Sequence, residues 1–203
     1  CLAECLGNSL LADTLRDFLE QLQRKGQNLS EIAILVRASF QMRAFEDRFI
    51  TLGLPYRVVG GPRFYERQEI RDATAYFDVT LNPANDLKFE RIINTPKRGI
   101  GDTSVKRMHE HARNQGISLY RAAEALSLTD ELPNKTRTAL RALMESFSRW
   151  RQTMDGLPHT ELAEIVLDES GYTAMWQADK SPQANARLEN LKELIRFMHQ
   201  FDG

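Results

Sequence analysis

The sequence contains too few cysteines and histidines to build a disulfide or metal-bound framework. Its 203 residues include two cysteines, Cys1 and Cys5, and four histidines. Two terminal cysteines cannot form a disulfide framework, which indicates a reducing compartment such as the cytosol. His109 and His111 stand two apart on a predicted helix, so they point to different faces and cannot share a metal ion. The sequence therefore predicts no metal site.

Long apolar runs and a strong net charge are also missing. The sequence has no run of about 18 apolar residues, so it predicts no membrane span and no membrane partner. The formal net charge is -1, which excludes a general attraction to nucleic acid. Charge is instead concentrated locally, because the stretch from Arg91 to Arg121 has seven basic residues and two acidic ones. Any binding of nucleic acid must depend on such a cluster.

The motifs that bind nucleotides or activate nucleophiles do not occur. There is no G-x-x-x-x-G-K-[ST] loop to hold the phosphates of a nucleoside triphosphate. There is no G-x-S-x-G elbow either, and neither cysteine has the sequence context of a nucleophile. The sequence therefore predicts no catalytic residue and no cofactor in this chain, which by itself should not hydrolyse ATP.

Residues 1–61 carry patterns of both helix and strand. Apolar residues at helical spacing up to Leu22 are followed by the β-branched run IAILVRA at 32–38, which is typical of a buried strand. Helical spacing returns after it and closes at Gly53, and PYRVVGG at 55–61 is a second predicted strand. The order helix-strand-helix-strand indicates a small piece of an α/β layered domain.

After Gly60-Gly61-Pro62 the pattern becomes helical throughout. Apolar stripes recur at helical spacing, as in Leu140, Leu143, Phe147 and Trp150, and no later stretch alternates like a strand. Prolines and glycines divide this part into helices of roughly two to five turns. The predicted fold is therefore mainly α, with the small α/β piece followed by an all-helical subdomain.

The segment NTPKRGIGDTS at 94–104 combines signals for a turn, a helix start and an anion. The glycines at 99 and 101 permit close approach of a ligand to the backbone, and Asp102 or Thr103 opens the next helix. Lys97 and Arg98 add positive charge beside the free N–H groups of that first turn. The spacing alone leaves a capped turn with incidental basic residues as an equal alternative. The surrounding positive charge favours a phosphate site.

A second basic segment, GGPRFYERQEIRD at 60–72, mixes arginines with aromatic residues. Arg63, Arg67 and Arg71 recur at four-residue spacing beside two aromatic side chains, a composition that suits single-stranded nucleic acid. The neighbouring acids can also pair with these arginines along a helix while the aromatic residues join the core. The spacing favours this second interpretation.

Several co-linear blocks resemble one protein family. The stretch EIAILVRASFQMRAFEDRFITLGLPYRVVGGPRFYERQEIRDATAYF, followed by NPANDLKFERIINTPKRGIGDTS, resembles the C-terminal half of UvrD/Rep/PcrA-type superfamily 1 DNA helicases. The resemblance continues through AEIVLDESGYTAMW and ARLENLKELIRF. It implies that residues 1–62 are part of the second RecA-like motor domain, 2A. Residues 63–203 then correspond to the helical, DNA-binding 2B subdomain, with the boundary near Pro62–Phe64.

The resemblance also implies DNA contacts at named positions. The block VRAS resembles one that touches the tracking strand, with Arg37 in the arginine position and Ser39 where many members have Asn. Arg63 resembles a basic position that meets single-stranded DNA. TPKRGIGDTS resembles the family's GIG motif, which holds duplex phosphates ahead of the fork. The duplex contacts implied by that motif are Lys97, Arg98, Gly99, Ile100, Gly101, Thr103 and Ser104.

The function implied is that of a fragment of a bacterial, ATP-dependent 3′-to-5′ DNA helicase of the repair type. ATP and Mg²⁺ would be bound by the parent protein, because the family's nucleotide motifs are missing here. The implied partners are junction DNA, the rest of the helicase chain and repair proteins, in the cytoplasm at the nucleoid. Two alternatives stay open. One is a stand-alone or regulatory helical protein-interaction module, and the other is a RecB/AddA-type recombination helicase subunit.

Overall fold

The chain divides into two compact units, 1–67 and 68–203. The computed structural model describes residues 14, 17–19, 21, 22, 24–37, 41–58 and 63–199. The division follows Arg67, whereas the sequence places it after Pro62, which lies outside the described residues. The predicted domain limits, 1–62 and 63–203, stay a prediction.

The first unit is helical wherever the structure describes regular elements. Residues 14, 17–19, 21, 22 and 24 are helical, α1 covers Met42–Thr51, and two short 3-10 helices cover Leu29–Glu31 and Phe64–Glu66. The side chain of Phe64 is fully buried, and its backbone N–H donates to the Glu46 carboxylate at 2.9 Å. This bond ties the second 3-10 helix to α1.

The strands predicted within residues 1–61 are not formed in the part that is described. Residues 32–37 and 54–58 have no strand, and no backbone hydrogen bond joins the two segments among the described residues. Leu35 is 96% exposed, so the apolar run does not lie in a core. A strand is stabilised by the ladder it forms with a neighbour, which an apolar, β-branched run cannot supply by itself. The prediction of a mainly α chain is confirmed, while the strands are a correction.

The second unit is built from helices, and its described residues, 68–199, contain no strand, as predicted. Its eight described α-helices are α2 Gln68–Leu81, α3 Asp86–Ile92, α4 Asp102–Gln115, α5 Leu119–Ser127, α6 Asn134–Thr153, α7 His159–Glu169, α8 Tyr172–Ala178 and α9 Ala184–Met198, and a 3-10 helix covers Met154–Gly156.

Polar and glycine residues at the helix ends explain why these segments begin and stop where they do. The Asn85 side chain accepts the N–H of Lys88 at the start of α3. Gly116 ends α4 in the left-handed region, at φ 63°, where a side chain is disfavoured. Gly171, at φ 76°, occupies the same region between α7 and α8. The connections are therefore set by local chemistry.

Aromatic rings fill the centre of the second unit. Tyr76, Phe147 and Tyr172 are fully buried, and Trp150 and Tyr120 are 1% exposed. The Phe147 ring lies 4.9 Å from Trp150 and 5.8 Å from Tyr120, edge to face. Such pairs contribute about 0.5–1.5 kcal/mol beyond the area they bury. The core is thus organised around α2 and α6, which contribute three of these rings.

A buried carboxylate connects three helices of this unit. Asp72 on α2 accepts from Arg91 Nε at 2.5 Å and from the Tyr172 hydroxyl at 3.1 Å. Burial raises the pKa of Asp72, while the Arg91 guanidinium and the Tyr172 hydroxyl oppose that rise. These bonds fasten α2 to α3 and α8.

Among the described residues, no helix is long and apolar enough to cross a membrane.

We expect Asp72 to make the chain more stable as the pH falls towards its ordinary pKa of 3.8. Because the folded-state pKa is raised, the folded chain takes up this proton at a higher pH than the unfolded chain. Asp72→Asn cannot titrate. The unfolding free energy of the parent, relative to that of Asp72→Asn, should therefore rise between pH 7 and about pH 4. Urea unfolding at several pH values measures this difference, and a constant or falling difference would contradict the prediction.

Candidate nucleic-acid interface

The loop predicted to hold a phosphate joins the end of α3 to the start of α4. Asn94 shapes it from within, because its side-chain oxygen accepts the backbone N–H of Arg98 at 2.8 Å and that of Ile100 at 3.3 Å. Ile100 is 1% exposed and anchors the loop in the core. Gly99 adopts φ +76°, a conformation that favours glycine. The loop is therefore ordered by internal bonds.

Several backbone donors have no partner where the loop leads into α4. The N–H groups of Gly99, Gly101, Asp102 and Thr103 have no hydrogen-bond acceptor in the described part of the chain, and all four residues are exposed. Unpaired N–H groups at a helix start, together with the positive end of the helix dipole, attract anions. Asp102 itself carries a negative charge in this first turn. The net attraction therefore depends on nearby cations.

Lys97 supplies one such cation. Its side chain is exposed and forms no ion pair with any residue that the structure describes. Thr103 is also exposed, with its hydroxyl on the first turn of α4. Ser104 differs, because it is 7% exposed and its N–H already donates to the Gly101 carbonyl at 2.9 Å. Lys97 and Thr103 are therefore accessible to a ligand, whereas Ser104 supports the turn.

Arg98 does not extend from the loop in the way that the sequence suggests. Its two Nη atoms donate to five oxygens of the protein, which belong to Ile92, Ile93, Pro96, Tyr76 and Ser170. The four Nη hydrogens are thereby occupied. Internal oxygen atoms therefore surround this guanidinium, and its contact with a phosphate stays a prediction.

Lys135 is a second cation at this loop, and sequence reasoning missed it. A methyl group placed on Gly99 would lie 3.6 Å from Lys135 Cε and 4.0 Å from its Nζ. Lys135 is the second residue of α6, whose first turn has no acidic residue. A cation at a helix start opposes the helix dipole. That unfavourable position was the only signal in the sequence that could have indicated a role for Lys135.

The residues predicted to meet single-stranded DNA lie in the first unit. Arg37 is exposed, and its backbone N–H donates to the Gln41 side chain at 3.1 Å. Arg63 is exposed, with its guanidinium 5.2 Å from the centre of the Tyr56 ring. Ser39 lies outside the described residues. Arg37 and Arg63 are therefore both accessible.

The aromatic residues next to Arg63 have different environments. Phe64 is fully buried, so it belongs to the core and cannot stack on a base. Tyr65 is 38% exposed, and its hydroxyl donates to Asp47 at 3.3 Å. Burial and the Asp47 charge raise the pKa of Tyr65 to about 12.

The described residues contain no group of three or more His, Cys, Asp or Glu side chains that could hold a metal ion.

Comparison with known proteins assigns the chain to a family. Residues 9–203 match the UvrD-like helicase C-terminal domain. DNA helicase II of Rickettsia typhi is 36% identical over 199 residues, which are 98% of this chain and 30% of the relative. The ATP-dependent DNA helicase PcrA of Bacillus subtilis is 37% identical over 185 residues, 91% of this chain and 25% of the relative. DNA helicase II of Escherichia coli is 35% identical over 179 residues, 88% of this chain and 25% of the relative.

The chain thus spans between a quarter and a third of the length of these relatives, at an identity of 35% or more. The family match covers nearly the whole chain, including the loop at 94–104 and both compact units. The chain belongs to the family of UvrD-like helicase C-terminal domains.

Proposed function

We propose that this chain is the part of an ATP-dependent 3′-to-5′ DNA helicase that holds duplex DNA at the fork. The observation that carries the proposal is the set of unpaired N–H groups at Gly99, Gly101 and Thr103, with Lys97 exposed on the same loop and Lys135 beside Gly99. A phosphate oxygen is the acceptor that such a set fits. The loop would grip the backbone of the duplex while the motor moves along one strand.

Backbone donors and lysines cannot distinguish one base from another. The contacts proposed here would position the duplex without reading its sequence, which suits a helicase that must unwind any DNA. The lysines carry the salt dependence, since each neutralised phosphate releases condensed counterions. Ile100 and Ser104 are assigned a supporting role, because their side chains are buried.

In the same proposal, Arg37, Ser39 and Arg63 contact the single strand. Support comes from the exposure of Arg37 and Arg63 and from the ring of Tyr56 beside the Arg63 guanidinium. ATP and Mg²⁺ would be bound by other parts of the parent protein. Its partners would be the remaining helicase chain and repair proteins, in the bacterial cytoplasm at the nucleoid. The relatives, named DNA helicase II and PcrA, favour this reading over a recombination subunit.

Removing either lysine should reduce the salt dependence of duplex binding. We expect Lys97→Ala and Lys135→Ala each to flatten the plot of log affinity against log salt by about one unit, because each removes about one phosphate contact. Lys180→Ala, an exposed lysine between α8 and α9, is the matched control and should leave the slope unchanged. Fluorescence anisotropy with a duplex-single-strand junction, starting at low salt, measures the slope. Equal slopes for all four proteins would overturn the proposal.

Adding a methyl group at Gly101 should weaken binding without disturbing the fold. Gly101 has φ -87°, and a Cβ there would meet no atom within 4 Å. Gly101→Ala therefore leaves the chain intact but holds a phosphate away from the N–H groups, at a cost of roughly fivefold in affinity. Gly156→Ala, where a Cβ would also meet no atom within 4 Å, is the control. If both variants bind the junction like the parent, the backbone does not approach the phosphate.

The chain by itself should not hydrolyse ATP, with or without DNA. Its sequence has no G-x-x-x-x-G-K-[ST] loop to hold the phosphates of a nucleoside triphosphate, and it carries no motif that would order Mg²⁺ beside a γ-phosphate. A coupled assay of phosphate release, run with a full-length helicase of the family as a positive control, measures this activity. Turnover that follows the chain through successive purification steps would contradict the prediction and indicate a nucleotide site within these residues.

A further inference from the structure

Arg98 lies in a basic surface loop, yet its side chain is directed into the protein. Nη1 donates to three carbonyl oxygens, and Nη2 donates to one hydroxyl and one carbonyl. The acceptors are Ile92 at 3.0 Å, Ile93 at 3.3 Å and Pro96 at 3.2 Å for Nη1, and Tyr76 at 2.6 Å and Ser170 at 2.9 Å for Nη2. The guanidinium thus connects the loop to α2, α3 and the end of α7.

The acceptors explain why an arginine occupies this position. Ile92 and Ile93 lie at the end of α3, and Ser170 follows the last residue of α7, so three carbonyl groups come from helix C-termini. Those ends carry partial negative charge, which a cation stabilises. The planar guanidinium presents several donors in a fixed fork, whereas a lysine ammonium is a compact point charge. Lysine would keep the charge here and lose most of the bonds.

The same bonds hold the residues before Gly99. The Tyr76 hydroxyl accepts from Arg98 and itself donates to the Thr95 carbonyl at 2.6 Å. The Arg98 N–H in turn donates to the Asn94 side chain, which also accepts the N–H of Ile100. The segment from Thr95 to Arg98 is therefore fixed through both its backbone and a side chain. Its conformation determines where the N–H groups of the following glycines point.

We propose that Arg98 is a positioning residue, which orders the loop from within and does not itself contact DNA phosphate. The proposal rests on the proposed function in one respect, namely that the loop it orders is the one that binds the duplex. A phosphate could reach the Nη atoms only if their five bonds to the protein were broken. Arg98 therefore acts on affinity through the loop and contributes nothing to counterion release.

Two substitutions test this role without creating a cavity. Arg98→Lys keeps the positive charge but cannot form the planar set of bonds, and Tyr76→Phe removes only the hydroxyl between Arg98 and Thr95. Each should lower affinity for the junction about tenfold, as expected for loss of bonds to a charged group, with the salt slope unchanged. Tyr120→Phe is the matched control, because it removes another buried hydroxyl, one that accepts from Arg151 away from the loop.

Amide hydrogen exchange gives a second readout that needs no DNA. In the parent, the N–H groups of Arg98 and Ile100 are bonded to Asn94 and should exchange slowly. Arg98→Lys and Tyr76→Phe should both accelerate their exchange, by about tenfold or more, while Tyr120→Phe should not. Circular dichroism checks that each variant remains helical. If Arg98→Lys does not fold, Tyr76→Phe decides the outcome.

The outcomes separate this proposal from the proposed function. If the parent fails to bind the junction at low salt, the proposed function is wrong, and exchange at Arg98 and Ile100 still tests whether the loop is ordered from within. Unchanged exchange and affinity in both variants would overturn the positioning role. Arg98 would instead be a phosphate contact if Arg98→Lys retained full affinity while Arg98→Met lowered the salt slope by about one unit.

Discussion

The hydrogen bond between the Tyr76 hydroxyl and the Arg98 guanidinium joins the aromatic core of the second unit to its surface loop. Tyr76 is fully buried among Phe147, Trp150 and Tyr172, at ring distances of 6.0–6.5 Å. Burial raises the pKa of Tyr76 by more than the Arg98 charge lowers it. The hydroxyl therefore stays protonated and can donate to the loop. The loop is thus bonded directly to the packed core, and the phosphate site proposed for it would share the rigidity of the packed rings.

The distribution of charge bears on the phosphate site proposed for the loop. With a net charge of -1, the chain has no general attraction to polyanions, so the binding proposed for the loop would depend on a few cations placed beside backbone donors. Lys135 occupies an unfavourable position, because the repulsion between a cation in the first turn of α6 and the helix dipole destabilises the helix by about 0.3–1 kcal/mol. An anion bound between Lys97 and Lys135 would remove the conflict. Departures from local sequence rules are expected at functional or strained sites.

The two units differ in how completely their apolar side chains are buried and their buried charges are paired. The second unit buries large side chains on most of its helices and pairs its buried carboxylates, including Asp72 with Arg91 and Tyr172. In the first unit, Ile34 is 37% exposed and Leu35 is 96% exposed, within a segment that has the composition of a buried strand. Local preference and observed environment therefore agree in the helical unit and disagree in the segment that would need a sheet.

The sequence by itself determined the features that depend on neighbours along the chain. The stripe from Leu140 to Trp150 is buried as its spacing predicts, α4 begins at Asp102 after Gly101, and the co-linear blocks identified the family. Helical periodicity and capping operate over a few residues, so they can be read from letters alone.

Only the tertiary structure decided the roles that depend on partners far along the chain. Arg98 is adjacent in sequence to Lys97, yet its guanidinium is bound by Ser170, 72 positions away, while Lys97 stays exposed. Lys135 lies 36 positions beyond Gly99 and reaches it because α6 starts beside the loop. A basic side chain can donate to a ligand or to the carbonyl groups at a helix end. The acceptors that folding brings within hydrogen-bonding distance decide between the two.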